Sequence, residues 1–513
     1  MFFGFKTTGL PFVPLPSPQP LTPAAFLLPL CFYYVALLFF FDTAPAAATR
    51  HRKAHRLAAR AFASLAIVCF LRLPLCYHLP IAALTYQLSL IGCFGALRVI
   101  DVFFLSGSLP GRIHRQYKAV HPSPSLRSSP AGSTCEVAMD RKQRRQVASG
   151  KTIPANTAID QLNTLVQETE DAIHNTLAPE AKLYERIDTR TSTDRTHTED
   201  TFWHRLLWAF DVMTAMRGVG WDFTSADVRH SKKTWIPTAR GILWMILSAN
   251  LPMLLVCWLT LYVICHDDAS ISAPRRYADY SFLARAIAPL AQGGMLFALF
   301  ALGYNAAAFL SALWCQPTMR RTSHNLYYFP PLNSLSLLKV RSVRDFWSKA
   351  WHRLFARIFL VFGVLPGQWL QRHLLDPVLS GVIHDPAHDM GKVLGAFFVS
   401  GVIHGTGTWA VSGGSMRAAC QEWSFFFANG IAVLIEEAVR RIYGRSNPSP
   451  STPLFRLLGL FWTFGLLSVT GQFFFAGWSD AGLIREMVEL PLQSLRWCGD
   501  PLLRALSVPF LTS

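Results

Sequence analysis

Residues 242–265 read ILWMILSANLPMLLVCWLTLYVIC, an apolar stretch without a single Asp, Glu, Lys or Arg. A helix crossing the hydrocarbon layer of a bilayer needs about 20 such residues. Lipid offers no partners for backbone N–H and C=O groups, so a segment of this kind must pair them internally, as a helix does. The same reading applies at 24–41, 60–78, 81–105, 282–305, 393–411, 421–438 and 455–475. A weaker apolar block lies at 354–371. The expected fold is all-α: a polytopic membrane helical bundle of about eight spans plus one re-entrant or interfacial segment.

Composition agrees. Of 513 residues, 51% are hydrophobic and only 15% charged, against roughly 25% charged in an ordinary soluble domain. The net charge of +17 does not point to nucleic acid, because the basic residues sit beside apolar blocks rather than in a basic domain of their own. Lys and Arg at span ends orient spans and attract anionic lipid. Ten cysteines are scattered, and Cys31, Cys69, Cys93 and Cys257 lie inside apolar blocks. They read as small buried hydrophobes rather than as disulfides or metal ligands.

Three regions emerge: N-terminal membrane spans over 1–106, a mostly flexible cytosolic insert over 107–240, and a membrane-embedded core over 241–513. The first apolar block, Phe26 to Phe41, precedes the basic run Arg50-His51-Arg52-Lys53. A secretory signal carries its positive charge first, so a retained span is expected. Residues 121–200 are rich in Ser, Thr, Pro and charge, too polar to offset chain entropy by burial. A short helix near 157–187 would place Ile159, Leu162, Leu165 and Val166 on one face. The basic segments 50–60, 107–240 and 316–357 fall on one side if the first five spans alternate, and the positive side faces the cytosol. If 354–371 dips in and returns, Arg440, Arg441 and Arg445 join that side.

Several positions are chemically suggestive. His404 sits near the middle of an apolar span, among Ser400, Gly401, Gly405 and Gly407. Ionisable residues inside membranes are expensive and mark sites by default. A neutral imidazole there suits a general base, or else a structural histidine bonded to a neighbouring helix. The run Arg344-Asp345-Phe346-Trp347-Ser348-Lys349-Ala350-Trp351-His352-Arg353 is either an interfacial helix with an aromatic belt or a ligand clamp. In the second case cations meet phosphates and an indole meets a ring. His384 and Asp389 have a His-x4-Asp spacing with His388 between them, but Pro386 and the loop setting favour an ordinary polar loop. Met216-Arg217-Gly218-Val219-Gly220-Trp221-Asp222 allows a tight turn but lacks the ending of a phosphate loop. Glu436 and Glu437 close an apolar span, where one could face a cavity but ordinary helix-end solvation is the favoured reading.

In combination these residues resemble a family. Trp347 to His352 is similar to the FW-x3-WH box of the wax synthase-like branch of membrane-bound O-acyltransferases. Phe398 to His404 is similar to its FxxSGxxH box. Arg217 to Trp221 resembles the RGIGW element of fungal members, and Ser424-Phe425-Phe426-Phe427 leading to Glu436 resembles a later FF…E segment. The matches cover roughly 205–475. The resemblance implies helices enclosing a reaction chamber and transfer of an acyl group from coenzyme A to a hydroxyl. It implies His404 as catalytic base, with His352 catalytic or orienting where many relatives carry Asn. It also implies Trp347, Lys349, Trp351 and Arg353 near the acyl-CoA entrance. Acetyl-CoA or another acyl-CoA is then a co-substrate, and no permanently bound cofactor or metal is expected. The fungal branch suggests acetyl transfer to a hydrophobic, terpenoid-type alcohol in the endoplasmic reticulum membrane, with fatty-acyl wax-ester synthesis as the alternative. A secondary transporter, reading Gly401 to Gly414 as a broken helix, is the alternative of another class.

Overall fold

The computed structural model describes residues 18–40, 49–105, 117–119, 184–186, 202–215, 217–218, 238–265, 280–315, 329, 332–333, 335–352, 354–379, 390–444 and 453–497. Among them, eight helices are long and apolar enough to cross a membrane. They are carried by α1 (Pro23–Phe40), α2 (Thr49–Cys76), α3 (Ala82–Leu105), α5 (Ala239–Cys265), α6 (Phe282–Cys315), α9 (Met390–Val411), α10 (Met416–Gly444) and α11 (Pro453–Asp480). Each coincides with an expected span. Four further helices are not of that class: α4 (Phe202–Thr214), α7 (343–350), α8 (356–379) and α12 (Leu483–Trp497). A single 3-10 turn (Leu337–Lys339) and two short ladders, β1 (Gln19–Pro20) with β2 (Tyr77–His78) and β3 (Tyr117–Ala119) with β4 (Tyr184–Arg186), complete the regular structure among the described residues. The expected short helix near 157–187 lies outside the described residues except for Tyr184–Arg186, which form strand β4.

Small residues set the packing. Gly92 and Gly95 of α3 meet Pro74 and Phe70 of α2, so these two helices run antiparallel. Gly401 and Gly405 of α9 meet Trp423 and Ala419 of α10, and Gly407 meets the Tyr86 ring of α3. Asn429 of α10 bonds Thr470 of α11, and Glu436 bonds Trp462. Tyr280 meets Phe475, and Ser468 bonds the Ala286 carbonyl, so α6 is antiparallel to α11. These registers gather the start of α2, the ends of α3, α6 and α10, and the starts of α9 and α11 at one end of the bundle. The basic segments leave from that end.

The weak 354–371 block is part of α8, and its register shows what it does. Gly363 packs on Gly395 and Gly367 on Gly391, so closely that an added Cβ at Gly367 would lie 2.0 Å from the Gly391 carbonyl oxygen. The helix therefore runs antiparallel to α9 along its first half. Its first residues lie deeper, where Phe355 packs on Phe94 midway along α3, and Arg357 forks onto Asp101 toward the end of α3 at 3.0 Å through both Nε and Nη2. The other leg, α7, begins beside Glu436 at the basic end. Residues 343–379 thus enter and leave at one end of the bundle and turn at 351–355, as expected of a dipping segment. Helix α4, inside the stretch read as an insert, is docked rather than free: Trp208, Ala209 and Val212 are buried against α1 and its neighbours, and Leu206 O accepts from Tyr34. At the opposite end α12 buries Leu483, Ile484 and Val488, and Glu486 accepts from the first backbone amides of α3 at 2.8 and 2.6 Å.

Candidate active site around His404

Four helices converge on His404. Its Nδ1 lies 2.8 Å from the Tyr86 hydroxyl of α3 and 3.7 Å from Glu422 Oε1 of α10. Tyr86 also reaches Glu422 Oε1 at 2.5 Å, and the indole N–H of Trp478 on α11 donates to the same oxygen at 3.2 Å. Glu422 is fully buried, and its Oε2 has no hydrogen-bond partner among the described residues. The His404 ring stacks on Phe426 (4.6 Å between centroids, 24° between planes) and meets the edge of Phe474. Its side chain stays 19% exposed, and Nε2 bonds to none of the described residues. The glycines around His404 have a local reason. A Cβ at Gly401 would sit 2.6 Å from the Trp423 ring, and one at Gly407 would sit 2.7 Å from Tyr86. Glycine there lets α3 and α10 approach close enough to reach the imidazole.

The aromatic box is anchored at both ends. Glu436 accepts from the backbone N–H of Val343 and Arg344 at 2.7 and 3.0 Å, and the Ser342 side chain accepts from Asp345 N. A carboxylate at the first turn of a helix pairs otherwise orphaned N–H groups and suits the helix dipole. Glu437 bonds Arg344, Arg440 and Arg441. Both residues, expected to be merely solvated, instead fasten α7 to α10. Trp347 donates to Asn429 Oδ1 at 3.0 Å and packs among Phe397, Phe425 and Phe426. Trp351 packs on Phe297 and Phe346. Both indoles are committed to packing, whereas Lys349 is 56% exposed and pairs with Asp345. Arg353 lies outside the described residues, as do His384, His388 and Asp389.

His352 sits at the turn between α7 and α8, ringed by Phe300 (4.5 Å), Trp351 and Phe355. Its Nδ1 is buried without a hydrogen-bond partner among the described residues. Burial is the main cause that pushes its pKa down to about 3, with smaller contributions from His404 and Arg217. Those contributions bring three motifs noted in the sequence into one electrostatic neighbourhood: the box histidine, the span histidine and the Arg217 turn. Arg217 bonds Tyr304 at 3.0 Å, and Gly218 takes a positive φ of 64° in the turn that follows.

Sequence reasoning missed Tyr86 and Glu422. Glu422 carried the same signal as His404, an ionisable residue in a span. Tyr86 carried none, since tyrosine is common in membrane helices. Among the described residues no group of three or more His, Cys, Asp and Glu could hold a metal.

Residues 330–428, which include both histidines and Glu422, match the model of the membrane bound O-acyl transferase family. The acetyltransferase eriL of Hericium erinaceus is 26% identical over 302 residues, covering 54% of this chain and 68% of that protein. The O-Mevalon transferase macI of Penicillium terrestre is 24% identical over 285 residues, covering 54% of this chain and 62% of that protein. The O-Mevalon transferase yanI of Aspergillus niger is 24% identical over 298 residues, covering 54% and 63%.

Proposed function

Taking the chain as an acyltransferase of the membrane-bound O-acyl transferase type, as the matches bear out, we propose that it moves an acyl group from coenzyme A to a hydroxyl of a hydrophobic secondary metabolite, with His404 as base. The observation that carries the reading is His404 itself, held through Nδ1 in the bundle interior with Nε2 uncommitted. Nε2 takes the proton of the acceptor hydroxyl as its oxygen attacks the thioester carbonyl. A C–O bond forms, the C–S bond breaks, and the imidazolium returns the proton to the departing thiolate. Base assistance of this kind is typically worth about 10²–10⁴-fold. A water-poor chamber matters equally, because water would compete for the acyl group.

His352 faces the same neighbourhood and has an unengaged Nδ1, which suits a second polar contact to the thioester or the acceptor. The donor carries phosphates and enters from the basic, cytosolic end, where α7 begins, and passes inward along α7 toward exposed Lys349 and, after it in sequence, Trp351 and Arg353. Trp347 supports that entrance by packing. The apolar alcohol arrives laterally from an endoplasmic reticulum bilayer. Acetyl is the favoured group and a terpenoid alcohol the favoured acceptor. Two relatives are named for an O-mevalon group, so the mevalonyl thioester is the second donor to try. Microsomes carrying the protein, supplied with acetyl- or mevalonyl-CoA and a panel of terpenoid alcohols, are expected to release coenzyme A thiol and form the matching ester. Alcohol-dependent uptake without thiol release would instead identify a transporter.

A further inference from the structure

The geometry points to Glu422 and Tyr86 as positioning residues that fix the tautomer of His404 and balance its charge during turnover. This inference rests on the acyl-transfer reading above and names the machinery behind its base.

With Glu422 ionised, the hydrogen-bond inventory leaves one arrangement. The Trp478 indole nitrogen can only donate, so Glu422 Oε1 accepts from it. Tyr86 has one O–H proton, and the shorter of its two contacts, 2.5 Å against 2.8 Å, gives that proton to the same carboxylate oxygen. The contact between Tyr86 and His404 Nδ1, 2.8 Å long, must then use the histidine N–H as donor and the phenolic oxygen as acceptor. With its proton on Nδ1, the imidazole keeps its lone pair on Nε2, the nitrogen bonded to none of the described residues. Orienting a base by a hydrogen bond to its other ring nitrogen is a general device. Here a tyrosine stands between carboxylate and imidazole.

The carboxylate has a second task. When Nε2 takes the acceptor's proton, a cation forms with Nδ1 3.7 Å from Glu422 Oε1. In a site poor in water an opposite charge at that distance counts for far more than it would in bulk solvent. A purely structural reading fits less well. A carboxylate buried only to hold helices together should have both oxygens satisfied, yet Glu422 is fully buried with Oε2 lacking a partner among the described residues. The aromatic ring of Tyr86, packed on Trp478 at 4.9 Å, would serve a structural role without its hydroxyl.

The test uses Tyr86→Phe and Glu422→Gln, both close in shape to the native residue, in the full-length protein in microsomes. Each should lower kcat by about 10-fold or more, as expected when a general base loses its orientation, while KM for the acyl-CoA stays within about twofold. In the His404→Ala background neither should lower the residual rate further, because residues acting as a unit are not additive. The amount of folded protein is followed by size exclusion in detergent. If Glu422→Gln fails to accumulate, Tyr86→Phe decides alone, since it removes a single oxygen. Wild-type kcat in these variants, or a rate loss that only tracks folded protein, overturns the positioning role. With His404→Ala inactive, that outcome leaves acyl transfer standing. A wild-type protein that releases no thiol from either acyl-CoA with any alcohol overturns the acyl-transfer reading, and this inference with it.

Discussion

Two histidines of this bundle sit under different constraints. His404 is held by a hydroxyl and a carboxylate, whereas His352 is enclosed by rings with Nδ1 unpartnered among the described residues. The second arrangement has a thermodynamic consequence. His352 titrates near 3 in the fold but near 6.5 in an unfolded chain. As pH falls through 6.5 the unfolded state binds a proton that the folded state refuses. Stability is therefore present above that value and lost on the acid side, by up to about 2 kcal/mol at pH 5. His352→Asn should lose less of its thermal midpoint between pH 7 and pH 5 than the wild type does, measured by tryptophan fluorescence in detergent. An equal loss in both proteins would show that the imidazole protonates freely. At this scale the sequence was half legible. His404 stands out because an ionisable side chain in an apolar run is rare, His352 because of the aromatic, basic box that carries it, and Glu422 could have been found by the first rule. Tyr86 could not, because it reaches His404 across 318 positions of chain, and only the helix packing creates that contact.

The elements owe their positions to glycine more than to bulky cores. Helix α8 lies on α9 through two facing glycine pairs, with backbone against backbone, so α9 is braced along the half that precedes His404. Gly391→Val puts a branched side chain where even a Cβ would sit 2.1 Å from the Gly367 carbonyl oxygen. Overpacking typically costs about 1–3 kcal/mol. That variant should lower thermal midpoint and acyl transfer together. Gly303→Ala, in a helix position with nothing within 4 Å of the new Cβ, should leave both unchanged. Parallel losses in the two variants would contradict the packing account. The sequence marked 354–371 as an ambiguous block because its apolar run is short and interrupted. What resolves it is the register with α9, a long-range fact that composition does not carry.

At the scale of the whole molecule the eight spans were readable because lipid leaves few choices: a segment must be long, apolar and helical. The docking of α4 was not, since its buried face depends on α1, far away in sequence. The single-ended hairpin 343–379 places Arg56, Arg440 and the start of α9 on one side. In sealed microsomes a membrane-impermeant maleimide should label Arg56→Cys and Arg440→Cys but not Met416→Cys at the opposite end. Labelling at Arg56 without Arg440 would mean that the hairpin crosses. The central claim is that chemistry resides inside the bundle, at a histidine held by three neighbouring helices. It is tested most directly by acyl-CoA-dependent ester formation in microsomes carrying His404→Ala at wild-type expression. The expected result is a fall of about 10²–10⁴-fold in turnover; turnover equal to wild type would contradict the account.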